Sequence, residues 1–597
     1  TTLDLTDLNF IDDNTTGTSG VINVANAGTL VGTVEEAQIA FDSAGISGTG
    51  NEDVTLEGTS TTALKLTNLD AETTGIVTAT NYTSISGSYA QLDALDTLND
   101  LATPTTVLDQ AGSDAVTVVI ASDSSVLATE LSDLHTTFGA GAVTATSVMQ
   151  ITGSYAELDA VDTIVDAGGQ NTITLTQTGV SAVVIVTTDT TISAANLNDL
   201  NTTFGSGLVN AASAATVTGS VTNLDTLNTA EPTQVDLDTT DGGGDGAGVN
   251  ITVTDTGTVT AAKLNTYNTD FGDGDIDATA AATISGTVTQ LDDVQTALAA
   301  DGANVINLDE ADGGADGAAV NITITDTGTV QAAKLNTYNG AEGAGGFGAG
   351  DIDATAAATV SGNATNIDDV VTALAADGTN VISIDVTDAG DGTAVNVTYS
   401  DTGTVAAASL NATNTATEGD ITATAAATVS GNETNIDAVV AAKPGDGANV
   451  IALDWADGGS DGAAVNLTYT DTGTVTAASL NAANTATAGD INANAAATIS
   501  GPESAIDDVV AAKPSDGTNE ISIDWTDAGD GTAANITYTD TGTVTAASLN
   551  AANTATEGDI NANAAAMVSG TATHIDNVVA ALAADGTNVI SIDVTDA

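Results

Sequence analysis

A β-branched residue, a hydroxyl residue and a glycine recur together along the chain, and their spacing limits the fold more than anything else in it. The glycines are Gly87, Gly153, Gly219, Gly286, Gly362, Gly431, Gly501 and Gly570, separated by 66, 66, 67, 76, 69, 70 and 69 residues. A leucine preceded by small residues marches in step with them, at Leu197, Leu264, Leu335, Leu410, Leu480 and Leu549, with weaker copies at Leu66 and Leu131. A shortened copy, LVGTVEEA around Gly32, opens the series. Tandem periods of this length mean that one supersecondary unit is copied along the chain, each copy burying its apolar face against its neighbours.

The stretch that starts at Gly362 shows what one copy contains. Asn363 stands where a helix N-cap belongs, and Ile367, Val370, Val371 and Leu374 follow with helical spacing. Asp377-Gly378 ends that helix. In earlier copies Ser88–Gln91 and Ser154–Glu157 have capping-box spacing at the same place. VISIDVTD then alternates as a half-buried strand, followed by an acidic glycine loop and a second alternating strand, AVNVTYSDTG. VAAASLNATN reads as a short helix, and DITATAAATVSG as one extended strand returning to the next glycine.

This order predicts an α/β repeat: an elongated solenoid of about 70-residue units, β-rich with short helices. Tandem small β-rich domains are the alternative. Units that small bury little core alone, and no Pro-rich or Ser-rich linker separates them. Three segments emerge: a divergent N-terminal unit at 1–50, divergent repeats at 51–228, and near-identical repeats at 229–597, the last stopping mid-unit.

Eighty acidic residues face five lysines and no arginine, for a formal charge of −75. Such a surface repels nucleic acid and anionic membranes, since both need clustered cations. High salt or bound divalent cations would relieve the self-repulsion, which suggests a marine or halophilic setting. The absence of cysteine excludes disulfides and thiolate metal sites. No apolar run approaches the roughly 20 residues that span a bilayer, so membrane insertion is not expected.

The acidic loops are the most specific chemical feature. Their aspartates recur three to four residues apart with glycines between: Asp236, Asp238, Asp241 and Asp245; Asp309, Asp312 and Asp316; Asp385, Asp388 and Asp391; Asp454, Asp457 and Asp461; Asp524, Asp527 and Asp530. Hard cations take six to eight oxygen ligands, so these are candidate calcium ligands, although Asp and Gly are also ordinary turn residues. The spacing is neither that of an EF-hand nor of the calcium-binding nonapeptide.

Asn250, Asn321, Asn396, Asn466 and Asn535 each begin an N-x-T sequon, open to glycosylation or to a stacked asparagine ladder. Trp455 and Trp525 occupy equivalent places, as do Phe138, Phe204 and Phe271, and packing explains both sets. His135 and His574 are isolated, the acid pair Asp368–Asp369 suits a solvated helix face, and no nucleophile–base arrangement can be assembled. An enzyme is not expected.

NEDVTLEG and LKLTNLDAETTGIVTATNYTSISGSYAQLDAL, within residues 51–95, together with the Leu-Asn helix and glycine turn, resemble repeats of giant tandem-repeat cell-surface proteins of marine cyanobacteria. The resemblance implies an exported chain serving a surface layer, adhesion or non-flagellar swimming. The expected function is therefore an extracellular structural repeat protein, self-associating into a filament, layer or stalk and stabilised by calcium. The alternative is an adhesin stalk that holds a distal binding domain away from the cell. The final VISIDVTDA matches 381–389 but lacks the acidic loop and strand that follow there, so the chain is expected to be a window onto a longer one.

Overall fold

A computed structural model describes residues 1–15, 20–111, 115–167, 171–179, 182–239, 248–298, 304–309, 319–340, 347–348, 350–374, 380–387, 394–444, 449–456, 463–514, 519–526, 533–582 and 588–593. By compactness the chain divides into two units. One comprises Thr1–Thr256, Lys263–Ala280 and Ala300–Asn307, the other Gly257–Ala262, Ala281–Ala299 and Leu308–Ala597.

Both units are built from the same α/β repeat with all-parallel sheets. In the first unit a copy runs through a three-residue strand (Thr191–Ser193), a first helix (Ala194–Thr203) and a first bridging strand (Val209–Asn210). A glycine strand (Thr216–Gly219), a second helix (Val221–Ala230), a second bridging strand (Val235–Asp236) and an asparagine strand (Asn250–Val253) complete it. The glycine strand pairs with the three-residue strand on one side and the asparagine strand on the other. The two bridging strands of the next copy, Ile276–Asp277 and Ile306–Asn307, then extend the same sheet. Five strands therefore form each full sheet, three from one copy and two from its successor. Such parallel pairing needs long crossovers, which the helices supply.

The second unit repeats this plan. Thr474–Thr476, Thr498–Gly501, Asn535–Tyr538, Ile560–Asn561 and Ile590–Ser591 form one sheet in that order. Its central row is Val475, Ile499, Ile536, Ile560 and Ile590, side by side in register and fully buried. β-branched side chains suit such a ladder because their restricted χ1 costs little on a pleated surface.

The structure corrects the sequence reading at three places. DITATAAATVSG is two strands, Ile421–Thr422 and Thr428–Gly431, broken by a turn at Ala425. VISIDVTD pairs only over Ile382–Ser383. The run after Asn396 breaks at Ser400, and Thr404–Ala406 forms a separate strand leading into the first helix, Ala407–Ala416. The apolar positions on either side of each break keep the same phase, so period alone does not locate it. The helix starts follow expectation, while the helix end expected at Asp377-Gly378 lies outside the described residues. Asn363 Oδ1 accepts from the Asn366 amide at 2.9 Å, and Ser88–Gln91 and Ser154–Glu157 form capping boxes.

The landmark glycine packs against the start of the helix that carries the landmark leucine. A Cβ at Gly431 would lie 2.8 Å from Cβ of Ala407, the first residue of the first helix, and Gly219, Gly286, Gly362 and Gly501 face Ala194, Ala261, Ala332 and Ala477 at 2.8–2.9 Å. The glycine is required by close approach of strand and helix. Three residues on from that alanine, the landmark leucine (Leu410, for example) is fully buried. The asparagine after it donates from Nδ2 to the second helix: Asn411 to the Asn435 carbonyl and Asn481 to the Ala505 carbonyl, both at 2.9 Å.

The near-identical copies solve one core position in two ways. Tyr267 and Tyr338 fill it from the first helix, opposite Val253 and Ile324 on the asparagine strand. In later copies Tyr399, Tyr469 and Tyr538 fill it from the strand, and the helix position holds Thr413, Ala483 or Ala552. One tyrosine is kept in either arrangement, while the residue opposite shrinks from Val or Ile to Thr or Ala. The hydroxyl partner changes too, from Asp225 (2.9 Å) and Asp292 (2.7 Å) to Thr413 (2.7 Å) and Ser479 (2.9 Å).

Gly431→Ala should cost about 1–3 kcal/mol by overpacking. Gly403→Ala, where an added Cβ meets nothing within 4 Å, should be near neutral. Urea denaturation of the two variants checks this, with equal midpoints contradicting it.

Candidate cation site

The acidic loops share one closed base. The amide just before each asparagine strand donates to the carbonyl of an aspartate at the loop's start: Val249 to Asp238 (2.7 Å), Val320 to Asp309 (2.6 Å), Val395 to Asp385 (2.7 Å), Val465 to Asp454 (2.7 Å) and Ala534 to Asp524 (2.8 Å). Earlier copies close the same way through Asp109 and Thr176. Since a threonine serves there equally, closure uses the backbone and leaves the carboxyl group for other work.

Asp238, Asp309, Asp385, Asp454 and Asp524 are half-buried at these necks, and Asp236 lies on the bridging strand, its carbonyl accepting from the Ala211 amide at 2.7 Å. The remaining candidates, Asp241, Asp245, Asp312, Asp316, Asp388, Asp391, Asp457, Asp461, Asp527 and Asp530, lie outside the described residues. Among the described residues no group of three or more His, Asp or Glu is close enough to hold a metal ion. Each neck thus contributes a single carboxylate (two where Asp236 is added), fewer oxygens than a hard cation takes.

Other carboxylates have structural tasks that the sequence reading missed. The Asp of the turn after the asparagine strand, DTG in the later copies but DSS at Asp123 and DTT at Asp189, accepts the first amide of its copy's second helix. Asp123, Asp189, Asp255, Asp326, Asp401, Asp471 and Asp540 hold the amides of Tyr89, Tyr155, Val221, Val288, Ala364, Glu433 and Glu503 at 2.6–2.7 Å. A helix N-terminus presents unpaired N–H groups and partial positive charge, so each carboxylate sits where its charge is favoured. The recurrence of DTG in successive units was the available signal.

A second set forms a ladder between strand ends, from the start of each asparagine strand to the residue just before the neighbouring bridging strand. Oδ1 of Asn250, Asn321, Asn396, Asn466 and Asn535 accepts from the amides of Asp275, Asp351, Asp420, Asp490 and Asp559 at 2.7–2.9 Å. Asp275 and Asp559 in turn accept from Val305 and Val589, each at 3.0 Å. This gives the sequon asparagines a role in strand pairing. Asp368 likewise accepts from Ser409 Oγ at 2.7 Å, so it is tied into the repeat and not simply solvated.

The five lysines are all engaged. Lys65 meets Glu35, while Lys263 and Lys334 lie 2.7 and 2.8 Å from Asp225 and Asp292. Lys443 and Lys513 donate to the carbonyls of Ala486 and Ala555 at helix C-termini, where a cation is favoured, with their amines 5.2 and 4.9 Å from the ring centres of buried Trp455 and Trp525. Phe138, Phe204 and Phe271 are buried, as packing requires. Burial lowers the His135 pKa. Burial, and then the neighbouring Asp133, raise the Tyr89 hydroxyl to about 12.

Among the described acids, burial raises the pKa of Asp96, Glu231 and Asp507, and Asp96 is moved furthest. Burial, reinforced by Asp100, raises its pKa from 3.8 to about 6, with only Gln110 Nε2 at 3.4 Å opposing. Its folded pKa lies above its unfolded one. The fold therefore favours the protonated form, and stability falls as pH rises from about 4 through 6.

Protein–sequence comparison adds no relative: no protein-family model matches the chain, and no curated protein does.

Two outcomes are expected. Asp96→Asn should raise the melting temperature at pH 7.5 and leave it nearly unchanged at pH 4; an equal shift at both values would contradict the burial of this carboxyl. Calcium added to chelator-treated protein should raise the melting temperature, and Asp454→Asn should reduce that gain. No calcium response would remove the loops as cation sites.

Proposed function

We propose that this chain is an extracellular structural repeat protein, in which the copies stack as an elongated α/β solenoid and divalent cations neutralise the acidic loops. It would build a filament, surface layer or stalk by self-association, as its resemblance to giant cell-surface repeat proteins of marine cyanobacteria implies. The observation that carries this reading is the shared sheet: two of every five strands come from the following copy. Such contacts are identical from copy to copy and propagate without closing, which suits a spacer or polymer better than a compact module. The charge of −75 adds support, because it keeps side faces apart until salt or divalent ions screen them. No helix of the described residues is long and apolar enough to cross a membrane.

Electron microscopy of the native protein with millimolar calcium tests the proposal. Rods or lattices with a regular axial repeat are expected. Isolated flexible stalks ending in a globular tip would favour the adhesin alternative, and collapsed single particles would refute both.

A further inference from the structure

In two copies of the second unit, the residue after the neck aspartate is a tryptophan. Trp455 and Trp525 are buried, and each Nε1 lies 3.4 Å from the carbonyl four residues earlier, Ile451 or Ile521. The equivalent residue in the preceding copy is Val386. Its backbone is anchored in the same manner: the Val386 carbonyl accepts from Glu418 at 2.9 Å, as Trp455 does from Ala488 (2.9 Å) and Trp525 from Glu557 (3.0 Å). The lysine above each indole is also exchanged, with Leu374 standing where Lys443 and Lys513 stand. Around Val386 and Leu374 there is a cavity of about 400 Å³. Val371, Leu374, Ile384 and Val386 line it on one side, Ala412 and Thr415 of the first helix on the other.

We propose that this cavity is a binding site for a planar, bicyclic aromatic small molecule with an N–H donor, of the indole class. The same backbone frame, twice over, accepts an indole covalently attached at position 455 or 525, and at 386 it offers the space without the side chain. The ring would pack on Thr415 and Ala412, and its N–H would point to the carbonyl of Ile382, the counterpart of Ile451. With Leu374 in place of lysine, the outer face of the site is apolar, so a neutral ring is preferred over an anion. Sites of this kind are mostly apolar with a few polar groups that fix orientation. The copies with lysine and tryptophan are self-filled, so binding is confined to copies with leucine and valine.

Saturation-transfer NMR of the full chain with indole as the probe tests this. A saturable signal with a dissociation constant on the order of millimolar or tighter is expected for a fragment of this size. Naphthalene, which lacks the N–H, should bind several-fold more weakly. Val386→Trp, a residue that this frame already accepts, should weaken indole binding at least tenfold while circular dichroism stays unchanged. The double variant K443L/W455V should add one binding site, and it decides the matter if Val386→Trp does not fold. No saturable signal from the parent protein, or an undiminished signal from folded Val386→Trp, would overturn the proposal.

Discussion

Backbone pairing between one repeat and the next is the interaction on which the rest of this structure depends. A copy supplies three strands of a sheet and leaves the edge of its asparagine strand open. The next copy closes that edge with two bridging strands only two residues long. A two-residue strand has almost no intrinsic stability, so it exists only because its neighbour is already a sheet. The close glycine–alanine contact follows from this arrangement, since strand and helix must approach tightly for the chain to return in register. Burial of the isoleucine and valine row follows as well, because each successive strand adds one residue to the same ladder.

The same geometry explains how so acidic a chain holds together. Its carboxylates are distributed over sites that favour negative charge or use it: the amide ends of second helices, the edges of the bridging strands, and the serines, lysines and tyrosines between helices. The helix-end aspartates are the clearest case, because seven copies place one within 2.7 Å of a helix amide. An aspartate at such an end typically contributes about 1 kcal/mol. Lysine is reserved for what aspartate cannot do, neutralising Asp225 and Asp292 or capping helix C-termini beside tryptophan. The tyrosine exchange between helix and strand shows that the repeat frame, more than any one side chain, is what has been kept.

Much of this architecture was legible in the sequence. The glycine and leucine periods marked the glycine strands and first helices, and helical spacing around Ile367 located the second helix. Less legible were the breaks at Ala425 and Ser400, because residues on either side of these turns keep the alternation of a single strand. The bridging strands were read as too long for another reason: VISIDVTD alternates throughout, but only Ile382–Ser383 is fixed by a partner, some thirty residues earlier, and no local pattern reveals where that pairing ends. At the candidate cation site, the sequence singled out the aspartate-glycine loops. It gave less weight to the neck, where backbone bonds to Asp238 or Asp454 set the loop's ends. The DTG aspartates were visible as a recurring motif, but their task lies 34 to 38 residues upstream in sequence.

The central claim is that each copy is held by its neighbours in a fixed phase. Deletion of one full period, residues 404–473, joins Gly403 to Thr474 and rebuilds every sheet contact with the equivalent strand. Deletion of half a period, residues 404–438, puts helix against strand positions. Circular dichroism and thermal melting of the two proteins compare them directly. The account predicts a native spectrum and a nearly unchanged melting temperature for the full-period deletion, with loss of structure around the half-period junction. Equal disruption by both deletions would contradict it.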